Sequence, residues 1–245
     1  MFFRSYVISD KTRRGILRGA VGALFVGAQG LFPRAAVADP YRDLFRAIEL
    51  DDASEIRLLL LRGVSSNSPD PERGPAIVFA ARQKSFRAVE ALLETPATDV
   101  NVLNRGSENA LMYAALYGEL DLVKRLVARG AEVNKTGWTP LHYAASNGWL
   151  SVVEYLLSQN AYIDAASENG TTPLMMAARE NQTAVARLLV KEGADPSLRN
   201  DAGLGAAEYL TRAGSAADAK WMQERADEYL ARYGTKAKPV PVQRR

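Results

Sequence analysis

Two seven-residue stretches stand 33 positions apart in the chain: Thr139-Pro140-Leu141-His142-Tyr143-Ala144-Ala145 and Thr172-Pro173-Leu174-Met175-Met176-Ala177-Ala178. Each reads as a helix start. Pro fits the first turn, where its missing N–H costs nothing, and the preceding Thr hydroxyl can take a free backbone donor. Upstream, Asn109-Ala110-Leu111-Met112-Tyr113-Ala114-Ala115 and Pro75-Ala76-Ile77-Val78-Phe79-Ala80-Ala81 keep the same order of small and large residues. The apolar anchors Leu44, Ile77, Leu111, Leu141, Leu174 and Ala207 follow at spacings of 33, 34, 30, 33 and 33.

A second pattern recurs in phase. Val123 to Ala131, Val153 to Ala161 and Val185 to Ala194 each carry a helical apolar stripe. The stripe ends at Gly130, Asn160 and Gly193, residue types that tolerate positive φ past a helix end. No single unit of this size buries its apolar face alone, so neighbours must stack.

The period and these motifs resemble the ankyrin repeat, over about residues 41–213. The resemblance implies an all-α solenoid of stacked helix-turn-helix units with short hairpin tips. The domain expectation is an ankyrin-repeat region at 39–213, about five repeats and a partial last one. A C-terminal capping helix follows at 214–234, then a disordered basic tail at 235–245. The first repeat lacks Thr-Pro and precedes a longer polar loop, Val64 to Gly74, as an N-terminal cap would. The step from Leu111 to Leu141 is three residues short, which trims the hairpin at Asn134-Lys135-Thr136-Gly137.

Composition restricts the chemistry. Among 245 residues there is no Cys and one His, at 142. Disulfides, thiol catalysis, Cys-ligated metals and multi-histidine sites are therefore excluded. No nucleophile–base–orienter set or phosphate-binding loop stands out. His142 lies within Thr-Pro-Leu-His, where the resemblance implies a hydrogen-bonding role between repeats. The expectation is a non-enzymatic chain without cofactor or metal.

The net charge of +3 is unevenly distributed. Residues 1–38 hold six basic side chains and one acid, whereas residues 39–235 hold 21 basic and 27 acidic ones, a net −6. The body thus argues against nucleic acid as a partner. In the first 38 residues a positive stretch, Lys11 to Arg18, precedes a weakly apolar run, Gly19 to Phe32, and then Ala36-Val37-Ala38. This is the layout of a secretory signal, and the run is short for a membrane span. Thr12 to Arg18 resembles the twin-arginine signal pattern through Arg13 and Arg14. That resemblance implies a signal peptide at 1–38, cleavage between Ala38 and Asp39, and export by the twin-arginine machinery. It also implies a bacterial periplasmic location and no stable membrane span after cleavage.

For function, the resemblance implies protein binding through the hairpin tips and the concave face of the first helices. The position two residues past each anchor carries Arg46, Phe79, Tyr113, Tyr143, Met176 and Tyr209. With the flanking Arg82, Leu116, Tyr117, Asn147 and Arg179, and Trp138 before a Thr-Pro, these are the candidate protein-binding residues. Exposed aromatics would provide rigid contact area. The resulting expectation is a periplasmic adaptor or stabiliser of an envelope protein in oxidative-stress protection. The alternative is an immunity-type inhibitor or secreted effector that binds a toxin or host protein.

Overall fold

The computed structural model describes residues 39–234. Arg13, Arg14, Ala38, the 1–38 segment and the 235–245 tail lie outside the described residues.

Twelve helices are described, arranged as six pairs. The first pair is α1 (Pro40–Glu49) and α2 (Ala53–Leu61), followed by a minimal antiparallel hairpin, β1 (Pro69–Asp70) with β2 (Gly74–Pro75). Then come α3 (Ala76–Arg82) with α4 (Phe86–Leu93), and α5 (Ala110–Tyr117) with α6 (Leu120–Ala128). The remaining pairs are α7 (Pro140–Ser146) with α8 (Leu150–Ser158), α9 (Pro173–Arg179) with α10 (Thr183–Lys191), and α11 (Ala206–Arg212) with α12 (Ala216–Tyr233). The fold is an all-α solenoid of helix-turn-helix units.

Two layers run along the stack. Odd-numbered helices pack on one another from α1 to α11, and α2, α4, α6, α8 and α10 form the second row. The Ala-Ala pairs explain the close approach: Ala80, Ala81, Ala114, Ala115, Ala144, Ala145, Ala177 and Ala178 are all fully buried. Leu111, Leu141, Leu156 and Leu174 fill the space between the layers. α12 packs on α11 and reaches the second row, where Arg187 of α10 pairs with Asp218 at 2.7 Å and lies 4.3 Å from the Trp221 ring centroid.

Capping varies from one repeat to the next. Asp39 caps α1 by accepting from the Tyr41 N–H, and Asp52 caps α2 through the N–H groups of Ser54 and Glu55. Asn109 serves α5 and Thr172 serves α9, each accepting from the backbone N–H three residues on. Gly130 and Asn160 occupy equivalent helix exits at φ +87° and +61°. There the chain requires a left-handed residue, and Asn is the usual substitute for Gly.

A hydrogen-bond ladder ties successive repeats. The Asn67 amide accepts from the Asp99 N–H at 2.8 Å and donates to the Ala97 carbonyl at 2.8 Å. Asn101 does the same with Glu132 and Gly130, and Asn134 with Tyr162 and Asn160. At the next rung Asp164 accepts from the Asp195 N–H at 3.0 Å. A carboxylate has no N–H to offer the facing carbonyl. Asn134 keeps its rung although its hairpin is shortened.

Candidate functional site

The first helices present one continuous side, flanked by the hairpin tips. The six positions two residues past the anchors lie one per odd-numbered helix, but they do not form an open aromatic stripe. Phe79, Tyr113 and Met176 are 3, 7 and 8% exposed, closed over by neighbouring repeats. Tyr143 and Tyr209 are half-buried, and Arg46 is exposed. With only 30 to 34 residues per unit, adjacent helices leave little room for a ring to stand clear.

The tyrosines keep their polar ends at the surface by converging on acceptors and donors from the tips. Glu108 is the hub. It accepts from the Tyr113 hydroxyl, from the Tyr143 hydroxyl at 2.8 Å and from the Asn104 amide at 2.9 Å. Burial works to raise the Glu108 pKa, but these three donors outweigh it and hold the carboxyl below its usual range. The Tyr113 hydroxyl is pushed up to about 12, first by burial and then by the Glu108 carboxylate. The Tyr143 hydroxyl is raised for the same reasons. Further along, the Asn200 amide donates to the Tyr209 hydroxyl at 2.8 Å.

Beyond the Ala-Ala pairs the side chains are open. Arg82, Asn147 and Arg179 are exposed, and Leu116 and Tyr117 are half-buried. Arg179 is occupied by Glu180 at 2.9 Å, and the Asn147 amide donates to the Tyr143 carbonyl and the Ser146 hydroxyl. Arg82 lies 5.6 Å from the Phe79 ring centroid, with Arg73 5.8 Å from the same ring. Tyr117 donates to the Arg82 carbonyl at 3.1 Å, stacks with Tyr113, meets the Phe86 ring at a tilt and carries the Lys84 ammonium 4.5 Å from its ring centroid. Phe79, Arg82, Tyr113, Leu116, Tyr117 and Tyr143 therefore gather along α3, α5 and α7. Met176, Arg179 and Tyr209 lie further along the same side, on α9 and α11.

Two tryptophans lie at the turns. Trp138 is half-buried rather than a free tip, with its ring edge-on to His142 at 5.2 Å. Trp149 is 41% exposed, donates from Nε1 to the Leu116 carbonyl at 2.9 Å and lies on Gly118. A Cβ at Gly118, where φ is +77°, would come within 2.5 Å of the indole.

His142 is buried and structural. Its Nδ1 accepts from the Thr139 N–H at 3.1 Å and contacts the Thr139 hydroxyl, so Nε2 carries the proton and donates to the Thr171 carbonyl at 2.9 Å. Burial lowers its pKa to about 4, against a weaker opposing pull from the Thr171 and Ala165 carbonyls. Sequence reasoning did not find Glu108 as a hub, Lys84 as a neighbour of Tyr117, or the Asn ladder. Only the ladder had a sequence signal, the Asn or Asp that returns at 67, 101, 134 and 164.

The repeat region matches the family model for ankyrin repeats in three copies, over residues 44–136 and 133–200. The chain belongs to the ankyrin-repeat family. It is 33% identical over 135 residues to ankyrin repeat and SAM domain-containing protein 6 of Rattus norvegicus, covering 53% of this chain and 15% of that protein. It is 32% identical over 152 residues to the B-cell lymphoma 3 protein homolog of Mus musculus, with 59 and 34% covered. It is 35% identical over 95 residues to protein phosphatase 1 regulatory subunit 27 of Homo sapiens, with 38 and 62% covered. The chain thus spans less than two thirds of the length of each of these relatives.

These findings correct the sequence expectation. These relatives of the repeat region are animal proteins, which overturns the reading as a bacterial, twin-arginine-exported periplasmic protein with an envelope partner. The oxidative-stress adaptor falls with it, as does the immunity-type or secreted-effector alternative. The export reading rested on residues 1–38, which lie outside the repeat region. Asp39, expected as the first residue after cleavage, is the N-cap of α1. Among the described residues no helix is long and apolar enough to cross a membrane, and no group of three or more His, Asp or Glu could hold a metal ion. The chain is a non-catalytic repeat protein, as its family is.

Proposed function

We propose that the chain is a scaffold that binds another protein through the first-helix side and its hairpin tips, centred on α3, α5 and α7. The observation that carries this reading is the cluster of Arg82, Leu116, Tyr117 and Asn147. Arg82 and Asn147 are exposed and Leu116 and Tyr117 half-buried, on elements whose own backbone bonds are already satisfied. They stand on rigid helices, so a partner would meet a preorganised surface with little ordering cost. Tyr143 extends the same surface towards the tips, its hydroxyl held by Glu108. The relatives support binding in general; one of them is by name a regulatory subunit of a protein phosphatase.

The test is a crosslinking capture from lysate with the full chain and with a variant carrying Arg82→Ala, Tyr117→Ala and Asn147→Ala. The variant should keep its helical circular dichroism and lose the captured partners. Recovery of the same partners by the folded variant defeats the assignment.

A further inference from the structure

Cations and carboxylates are unevenly matched along this side of the molecule. In the first two repeats the nearby acids are already engaged: Glu49 and Asp70 both pair with Arg73, at 2.9 and 3.2 Å. Glu108 is held by Asn104, Tyr113 and Tyr143. Arg46, Arg82 and Lys84, by contrast, make no ion pair among the described residues. Arg82 is close enough to feel the Glu108 charge, yet its guanidinium is not bonded to it and lies against the Phe79 ring instead. Lys84 is fixed at φ +62° in the turn between α3 and α4, with its ammonium 4.5 Å from the Tyr117 ring centroid. Two cations and an aromatic face are thus set side by side with their anionic valences unfilled.

Resting on the binding surface proposed above, we propose that the partner segment crossing α3 and α5 is acidic. Its carboxylates would meet Arg82 and Lys84, and an adjacent apolar side chain would pack on Tyr117 and Leu116. Arg46 stands one repeat earlier at the position equivalent to Phe79, and the positions equivalent to Arg82 and Lys84 there are Glu49 and Asp51, so the cationic pair belongs to the second repeat alone. An Arg fork beside an aromatic ring suits a carboxylate, which it can bind bidentately while the ring limits competing water. A nucleic acid fits less well. Residues 39–235 carry a net −6, which a continuous phosphate backbone extending beyond the patch would meet.

The experiment is fluorescence anisotropy with the full chain and three labelled probes: an Asp/Glu-rich peptide carrying one Phe, its Asn/Gln counterpart, and a single-stranded oligonucleotide. The acidic peptide should bind about tenfold or more tighter than its amide counterpart, with affinity falling as salt rises. Arg82→Glu and Lys84→Glu should each weaken it about tenfold, whereas Arg212→Glu, on the exposed end of α11, should leave it within about twofold. Equal binding of the amide peptide, indifference to both charge reversals, or equally tight oligonucleotide binding would each overturn the proposal. If Tyr117→Ala abolishes peptide binding while Arg82→Glu does not, the surface survives and the acidic partner falls. If neither substitution matters, both fall.

Discussion

Lowering the pH from 7 to 5 should destabilise the protein chiefly through His142. The imidazole is buried, its Nδ1 faces the Thr139 N–H, and its Nε2 proton is committed to the Thr171 carbonyl. A second proton on Nδ1 would set donor against donor in a fully buried site. The folded-state pKa is therefore about 4, against 6.5 in an exposed imidazole. Between those values the unfolded chain binds the proton and the folded chain does not, so stability falls as pH drops through this window and is flat above it. The loss from pH 7 to 5 is about 2 kcal/mol, rising to about 3 kcal/mol below pH 4, with one pKa unit worth about 1.4 kcal/mol. Since His142 is the chain's single histidine, the assignment is clean. Urea unfolding followed by circular dichroism at the two pH values measures the loss in the wild type and in His142→Gln. The variant starts lower at pH 7, because the Thr139 and Thr171 bonds are imperfectly replaced. Its own decline from pH 7 to 5 should be smaller than the wild type's by about 2 kcal/mol. Identical declines in the two proteins would refute the reasoning.

Other expectations follow from the same geometry. Asp164→Asn restores an amide to the fourth rung and should raise stability by about 1 kcal/mol in urea titration, through a bond to the Gly193 carbonyl. Gly118→Ala must move the Trp149 indole and adopt a left-handed φ, so it should cost about 1–3 kcal/mol and red-shift tryptophan emission. In an alkaline absorbance titration, Glu108→Gln should bring Tyr113 down from about 12 towards its ordinary 10, stopping short because burial is the larger cause. Leu141→Ala, in the fully buried anchor row, should cost about 2–5 kcal/mol and lower the urea midpoint.

The repeat was legible because it obeys a strong local rule. Thr-Pro, Ala-Ala and the Leu anchors each have one physical purpose, and their recurrence fixes phase without any knowledge of contacts. The binding side was legible only as a position. Whether Phe79 or Tyr113 is open depends on how closely the next repeat approaches, and the chain encodes that distance in other residues, such as Gly118 and the Ala pairs. Trp149 shows the difficulty from the other side. Its indole lies half-exposed on a glycine thirty-one residues earlier in the chain, a contact no local pattern announces.

Glu108 and Asp164 show why polar function is harder to read than packing in a stacked fold. Both stand at hairpin positions where a sequence suggests only solvent-facing rim polarity or a local turn. In the folded chain Glu108 gathers two tyrosines from successive first helices, and Asp164 bridges to the next repeat. A carboxylate used in this way is withdrawn from partner recognition, whereas Arg82 and Lys84 are left without an acid. The charge that a partner meets is therefore the residue of internal pairing rather than the composition. Residues 39–235 are acidic overall, yet the open side of α3 and α5 offers cations. The same logic makes the surface tunable by substitution within the scaffold. Freeing Glu108 by removing Tyr143's hydroxyl in Tyr143→Phe should weaken an acidic ligand bound at Arg82, with no change at Arg82 itself.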